Sequence, residues 1–167
     1  MRKLRMSIVA ATILAIVGVG MPTALATAES CPRRFGSPEQ LVDAGGAVVQ
    51  EWTVTDLRAS TDAAPGYPLA GRLWEASASV KAVTGTVTPL IPNFEAMSTS
   101  LDRYPVLWQL ANPSGIPGTT LAEGQTSTGK LYFDVTGADP AAVHYRSSVP
   151  MPAMMWCGKD VMMPMAN

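Results

Sequence analysis

Along residues 74–82 apolar and polar positions alternate without interruption: Trp74, Ala76, Ala78, Val80 and Ala82 fall on one face, Glu75, Ser77, Ser79 and Lys81 on the other. A period of two predicts a strand with one face buried and one wet, as in an antiparallel sheet, and it makes Glu75 a solvated carboxylate. Val48, Trp52 and Val54, interleaved with Val49, Glu51 and Thr53, predict a second strand, and the out-of-phase Leu57 marks a bulge or an end. Val106, Trp108 and Leu110 predict a third; Leu131, Phe133 and Val135, interleaved with Tyr132 and Asp134, a fourth. Weaker signals lie at 83–88, 142–145 and 153–156. No stretch carries a long 3.6-residue period, and only 38–44, behind Ser37 as a cap, has the makings of a helical turn. On these phases Trp52, Trp74 and Trp108 are core, whereas Tyr67 and Tyr104 are exposed and available to a recognition surface.

Turn-rich stretches separate the runs: AAPGYP at 63–68, NPSGIPG at 112–118 and GADP at 137–140. Pro and Gly at that density stop strands and set turns. About seven strands with frequent turn signals in about 110 residues is the pattern of an antiparallel β-sandwich, with a small closed barrel as the alternative.

The N-terminus differs in kind. Arg2, Lys3 and Arg5 precede an uncharged apolar run over 8–20 and the small-residue site Ala24, Leu25, Ala26. This is the layout of a secretory signal peptide, too short for a transmembrane anchor. Cleavage after Ala26 starts the mature chain at Thr27, with Glu29 as the alternative start. A lipidated Cys31 is disfavoured because Glu29 stands where a lipobox needs small residues. The expected layout is a signal peptide at 1–26, an N-terminal segment at 27–46, the sandwich at 47–157 and a Met-rich tail at 158–167, with no membrane anchor after cleavage.

Removing residues 1–26 from the 167 leaves 141, enough for one core and too few for two ordinary domains. The removed part carries three of the twelve basic residues and none of the thirteen acidic ones, so the mature chain has nine against thirteen, a net of −4. Such a surface repels phosphate backbones and anionic lipid, which argues against nucleic-acid or membrane-surface partners. Export also delivers Cys31 and Cys157 to an oxidising compartment, where a pair becomes a disulfide. Two free thiols, a metal pair or a redox switch are the rivals, and no CxxC spacing favours the last.

At the strands the sequence becomes familiar. WTVTDLRAST at 52–61, PGYPLAGRLWEASASV at 65–80, VLWQ at 106–109 and STGKLYFDVTG at 127–137 resemble the secreted immunogenic mycobacterial antigens of the MPT-sixty-three (MPB-sixty-three) type, over roughly 47–156. The resemblance implies an immunoglobulin-like sandwich, secretion, recognition by the host immune system and no established biochemical activity. It brings no catalytic residues. The likeness fails at both ends, around Cys31 and in the tail after Cys157.

Catalytic and ligand-binding constellations are scarce. His144 is the single histidine, and without a nucleophile elbow it reads as a strand or turn residue rather than part of a hydrolase triad. One histidine and two cysteines make no convincing zinc set. GQTSTGK at 124–130 lacks the residue that would complete a phosphate loop and reads as a hairpin loop. Asp56, Glu75, Glu95, Asp102 and Asp134 supply carboxylates for a glycosidase-like pair, yet no spacing sets two of them across a cleft. Met151, Met154, Met155, Met162, Met163 and Met165 offer apolar packing, a partner contact or soft ligands for Cu(I). The expectation is a secreted, non-enzymatic module without a cofactor, meeting an unknown protein partner in the host or the envelope. An envelope-acting hydrolase with a hidden carboxylate pair and a copper-binding protein using the tail are the alternatives.

Overall fold

The computed structural model describes residues 28–31, 33–146, 152–159 and 161–164. The signal segment, 1–26, and its cleavage after Ala26 lie outside them. Among the described residues ten strands follow in order: β1 (Ala28–Ser30), β2 (Pro38–Asp43), β3 (Val48–Ala59), β4 (Arg72–Thr84), β5 (Phe94–Ser98), β6 (Arg103–Pro105), β7 (Thr126–Val135), β8 (Pro140–Arg146), β9 (Pro152–Cys157) and β10 (Met162–Pro164). Single 3-10 turns occupy Ala44–Gly46 and Ile91–Asn93. The strands form two four-stranded antiparallel sheets, β2-β3-β4-β7 and β6-β5-β8-β9, beside a β1-β10 ribbon. This is the all-β, immunoglobulin-like sandwich; the closed barrel does not form.

The alternation at 74–82 turns Trp74, Ala76, Ala78, Val80 and Ala82 inward, where they join Trp52 and Val54 from β3. Small alanines along β4 leave room for large rings opposite. Phe94, Tyr145 and Trp156 of the second sheet fill that room: Trp52 meets Phe94 edge-on at 4.7 Å and Phe94 meets Tyr145 at 5.0 Å. Edge-to-face pairs add about 0.5–1.5 kcal/mol each to the burial of the rings. Two of the three core indoles are satisfied, Trp52 Nε1 donating to Gln50 Oε1 and Trp156 Nε1 to the Ser37 carbonyl, each at 2.8 Å.

The segment before β3 ties the sheets together. Cys157 N–H donates to Arg33 O and Phe35 N–H to Cys157 O along the β9 edge; at the next residue Gly36 N–H donates to Val54 O of the other sheet. Gly36 makes the crossing at φ 89°, a conformation that favours glycine. The Cys31–Cys157 disulfide, Cα atoms 6.0 Å apart, closes the chain at the same edge.

Several expectations need correction. Of the helical turn expected over 38–44, residues 38–43 form strand β2, because the free edge of β3 pairs with them from Pro38↔Thr53 to Asp43↔Val48, and Ala44 opens the 3-10 turn that follows. The sandwich therefore starts at Pro38, inside the segment expected to precede it at 27–46, and the expected tail, 158–167, contributes β10 to a ribbon. The strand over 106–110 does not form. Val106 makes one bridge to Phe133, and the chain then turns, Leu110 N–H donating to Leu107 O, which leaves Trp108 58% exposed. Tyr104 is buried because its hydroxyl finds the Ala138 carbonyl at 2.8 Å. Tyr67 is half-buried against the cluster of Leu73, Leu107, Leu110 and Tyr132. The loop expected at 124–130 shrinks to a turn, since pairing with β4 extends β7 back to Thr126 and places Lys130 in mid-strand. Leu57 does mark a bulge: the register shifts between Thr55 and Arg58, and Asp56 takes φ 57°.

Candidate functional site

Strand register gathers the first charged cluster. On the outer face of the β2-β3-β4-β7 sheet, Arg58 pairs with Glu75 and Glu75 with Tyr132, while Lys130 lies two residues along from Tyr132. Arg58 donates to Glu75 Oε1 through Nε (3.1 Å) and Nη2 (2.9 Å), and Ser60 Oγ donates to Oε2 at 2.6 Å. Lys130 Nζ is shared between Glu75 Oε2 at 2.9 Å and Asp62 Oδ2 at 2.7 Å, and the Tyr132 hydroxyl donates to that same Asp62 oxygen at 2.5 Å. Glu75 is only 4% exposed, so the solvated carboxylate expected from alternation is a buried ion-pair acceptor. Its position on the polar phase was correct; the chain returning from β3 covers it.

These contacts fix the chemistry of the cluster. Burial pushes the Glu75 carboxyl up, but donors from Ser60, Lys130 and Arg58 outweigh it and hold the group below its ordinary range. Hydrogen bonds from Lys130 and Tyr132 lower Asp62 likewise. Lys130, bonded to Asp62 and Glu75, is raised. Burial, then the bond to Asp62, raises Tyr132 to about 12. At neutral pH the cluster therefore holds two carboxylates, a guanidinium, an ammonium and a phenol, with neither a neutral amine nor a protonated carboxyl group. A retaining hydrolase needs an acid whose pKa is raised.

Beside the cluster, Ile91, Leu107, Trp108, Leu110, Lys130 and Tyr132 line a hollow of about 260 Å³. The loop carrying Trp108 is fixed on β7: Leu107 N–H donates to Tyr132 O, Ile116 N–H to Lys130 O and Lys130 N–H to Ser114 O, at 2.8–2.9 Å. Asn112 Nδ2 reaches Ala63 O at 3.1 Å and joins this loop to the one after β3. Gly129 permits the approach, since a Cβ there would stand 2.5 Å from backbone atoms of Ile116. Trp108 is thus an exposed indole on a braced loop with a partly apolar hollow behind it.

The second cluster lies on the outer face of the other sheet. Buried Glu95 accepts from Arg103 Nη1 at 3.0 Å and Arg146 Nη1 at 3.4 Å, and His144 Nδ1 stands 3.9 Å from its Oε1. Burial, then the Arg103 charge, lowers His144 to about 4, so it is neutral at pH 7.

Of the five carboxylates named from sequence, Glu75 and Glu95 sit on separate sheets, Asp56 lies in the β3 bulge, Asp102 accepts from Ser98 Oγ, and Asp134 accepts the Ala70 and Gly71 N–H groups. None pairs with another across a cleft. The close pair is Glu75 with Asp62, which spacing did not show because Lys130 joins residues from three separate segments. Among the described residues no group of three His, Cys, Asp or Glu is placed to hold a metal. Side chains of Met151, Met162, Met163 and Met165 lie outside the described residues.

Comparison with known proteins places the chain. Residues 31–156 match a family described as a domain of unknown function (DUF1942). The immunogenic protein MPB63 of Mycobacterium bovis and the immunogenic protein MPT63 of Mycobacterium tuberculosis are each 43% identical over 140 residues, covering 84% of this chain and 87% of theirs. The crystal structure of MPT63, described as a secreted protein from Mycobacterium tuberculosis, superimposes with a TM-score of 0.70 at 44% identity, covering 74% of this chain and 94% of that one. Secretion, expected from the N-terminal segment, agrees with that relative. The chain belongs to the DUF1942 family, together with the secreted immunogenic proteins MPT63 and MPB63.

Proposed function

We propose that the chain is a secreted, non-enzymatic interaction module that meets a protein partner, in the host or the bacterial envelope, through the loop bearing Trp108. The carrying observation is the indole itself, 58% exposed at the rim of a hollow on a loop braced against β7. Tryptophan is among the residues most enriched at the energetic centres of interfaces, and a pre-ordered loop reduces the entropy lost on binding. Its relatives are named immunogenic proteins, which fits a secreted chain exposed to the host. The ion pairs around Lys130 favour a rigid platform over an active centre.

Capture from host and envelope extracts with the mature protein, alongside Trp108→Ala, tests the reading. A partner retained by wild type and reduced at least about tenfold by the substitution supports it. Clean extracts, or equal capture by both proteins, count against it.

The hydrolase reading retains one observation, the Glu75 and Asp62 carboxylates bridged by Lys130. Envelope glycan hydrolysis abolished by Glu75→Gln and by Asp62→Asn would favour it over the binding reading.

A further inference from the structure

His144 takes no part in that surface, and its environment is unusual. Its side chain is 5% exposed in mid-β8, and its Nε2 is buried without a hydrogen-bond partner among the described residues. A buried, unsatisfied imidazole nitrogen destabilises a fold that an apolar residue would fill without that cost.

Register shows what surrounds it. Glu95, His144 and Met155 form one row across β5, β8 and β9; Met97, Ala142 and Cys157 form the neighbouring row on the same face. Met155 is directly opposite His144, Cβ atoms about 5 Å apart for such pairs, and Met97 is on the diagonal at about 7–8 Å, within reach of a long side chain. Both methionines are buried and pack together with Ala142 and Cys157. Ala142 is only a methyl group between larger neighbours, which leaves room over it for the two thioether chains. On the other side of the ring Nδ1 faces Glu95 Oε1 at 3.9 Å. A proton on Nδ1 leaves the Nε2 lone pair free, and a carboxylate behind the far nitrogen is the usual support of a metal-binding histidine.

We propose that His144 Nε2 with the Met155 and Met97 sulfurs forms a Cu(I) site on the outer face of the β6-β5-β8-β9 sheet. One imidazole and two thioethers make a soft, uncharged donor set, which suits Cu(I) and disfavours calcium, magnesium and manganese. The metal enters and stays as Cu(I), so no electron is transferred. Of the six methionines that composition offers as ligands, this site takes Met155 alone, and Met162, Met163 and Met165 have no part in it.

Anaerobic titration of the full mature chain with Cu(I) against a chromogenic Cu(I) chelator tests the site. The expected result is one equivalent bound, with affinity falling at least about tenfold in Met155→Leu and in Met97→Leu, both close in volume to the native residue. A triple variant with Met162, Met163 and Met165 changed to Leu retains wild-type affinity. X-ray absorption of the wild-type complex, which requires no variant to fold, shows one nitrogen and two sulfur neighbours. No binding in competition with the chelator, unchanged affinity in both Leu variants, loss of binding in the tail variant, or a sulfur-free copper shell each overturns the proposal.

Discussion

Replacing both cysteines gives a quantitative test of how the sandwich is held. Cys31 and Cys157 are 126 residues apart in sequence and 6.0 Å apart between Cα atoms, so their bond encloses almost the whole domain. For a loop of that length the chain-entropy relation gives about 5 kcal/mol at 25 °C. A domain of this size loses about 3 °C in Tm per kcal/mol, so Cys31→Ala with Cys157→Ala should melt about 15 °C below wild type. Alanine avoids burying a hydroxyl at Cys157, which is fully enclosed. Reduced wild type keeps the native packing and isolates the cross-link, so its melting point should fall by a similar amount. Circular dichroism at 217 nm during a thermal ramp reads both. A drop below about 3 °C in both samples would refute the reasoning, because the unfolded chain would then gain little freedom from losing the bond.

Three further outcomes follow from burial and charge. Trp52→Ala should cost about 3–5 kcal/mol in urea unfolding, whereas Trp108→Ala should change stability by about 0.5 kcal/mol or less, although the sequence reading gave both residues the same place in the core. Gly129→Ala should cost about 2 kcal/mol or more, since its Cβ meets Ile116 backbone at 2.5 Å; near-neutral stability would show that the loop is not seated on β7. His144 titrates near 4 in the fold and near 6.5 unfolded, so its contribution is complete above pH 6.5 and is lost as pH falls toward 4, by at most about 3 kcal/mol. His144→Gln should flatten urea midpoints across that window, and an unaltered pH slope would contradict the assignment.

The strands legible in the sequence were those with one buried face. The 74–82 run became the centre of β4 because alternation and burial coincide there. Strand β5, Phe94–Ser98, escaped notice because all five of its residues are buried, Glu95 included, which abolishes the alternation. The 106–110 run misled for the opposite reason. Its apolar phase favours Val106, Trp108 and Leu110, but a turn at Leu107 breaks the period and buries Leu107 in place of Trp108. Residues 38–43 became a strand through pairing with β3, a tertiary contact that local pattern does not encode. The charged clusters were illegible because each needs cross-strand register: Lys130 meets Glu75 only once β4 and β7 are aligned, and His144 meets Glu95 only once β5 and β8 are. Asp62 gave no signal at all, being an ordinary loop carboxylate until Lys130 and Tyr132 converge on it.

Hydrogen exchange of the mature protein, alone and with its captured partner, tests the Trp108 surface most directly. Protection confined to residues 106–116 and the adjoining segment after β3 is the predicted result. Protection confined to the β2 edge or to the outer face of the second sheet would contradict it.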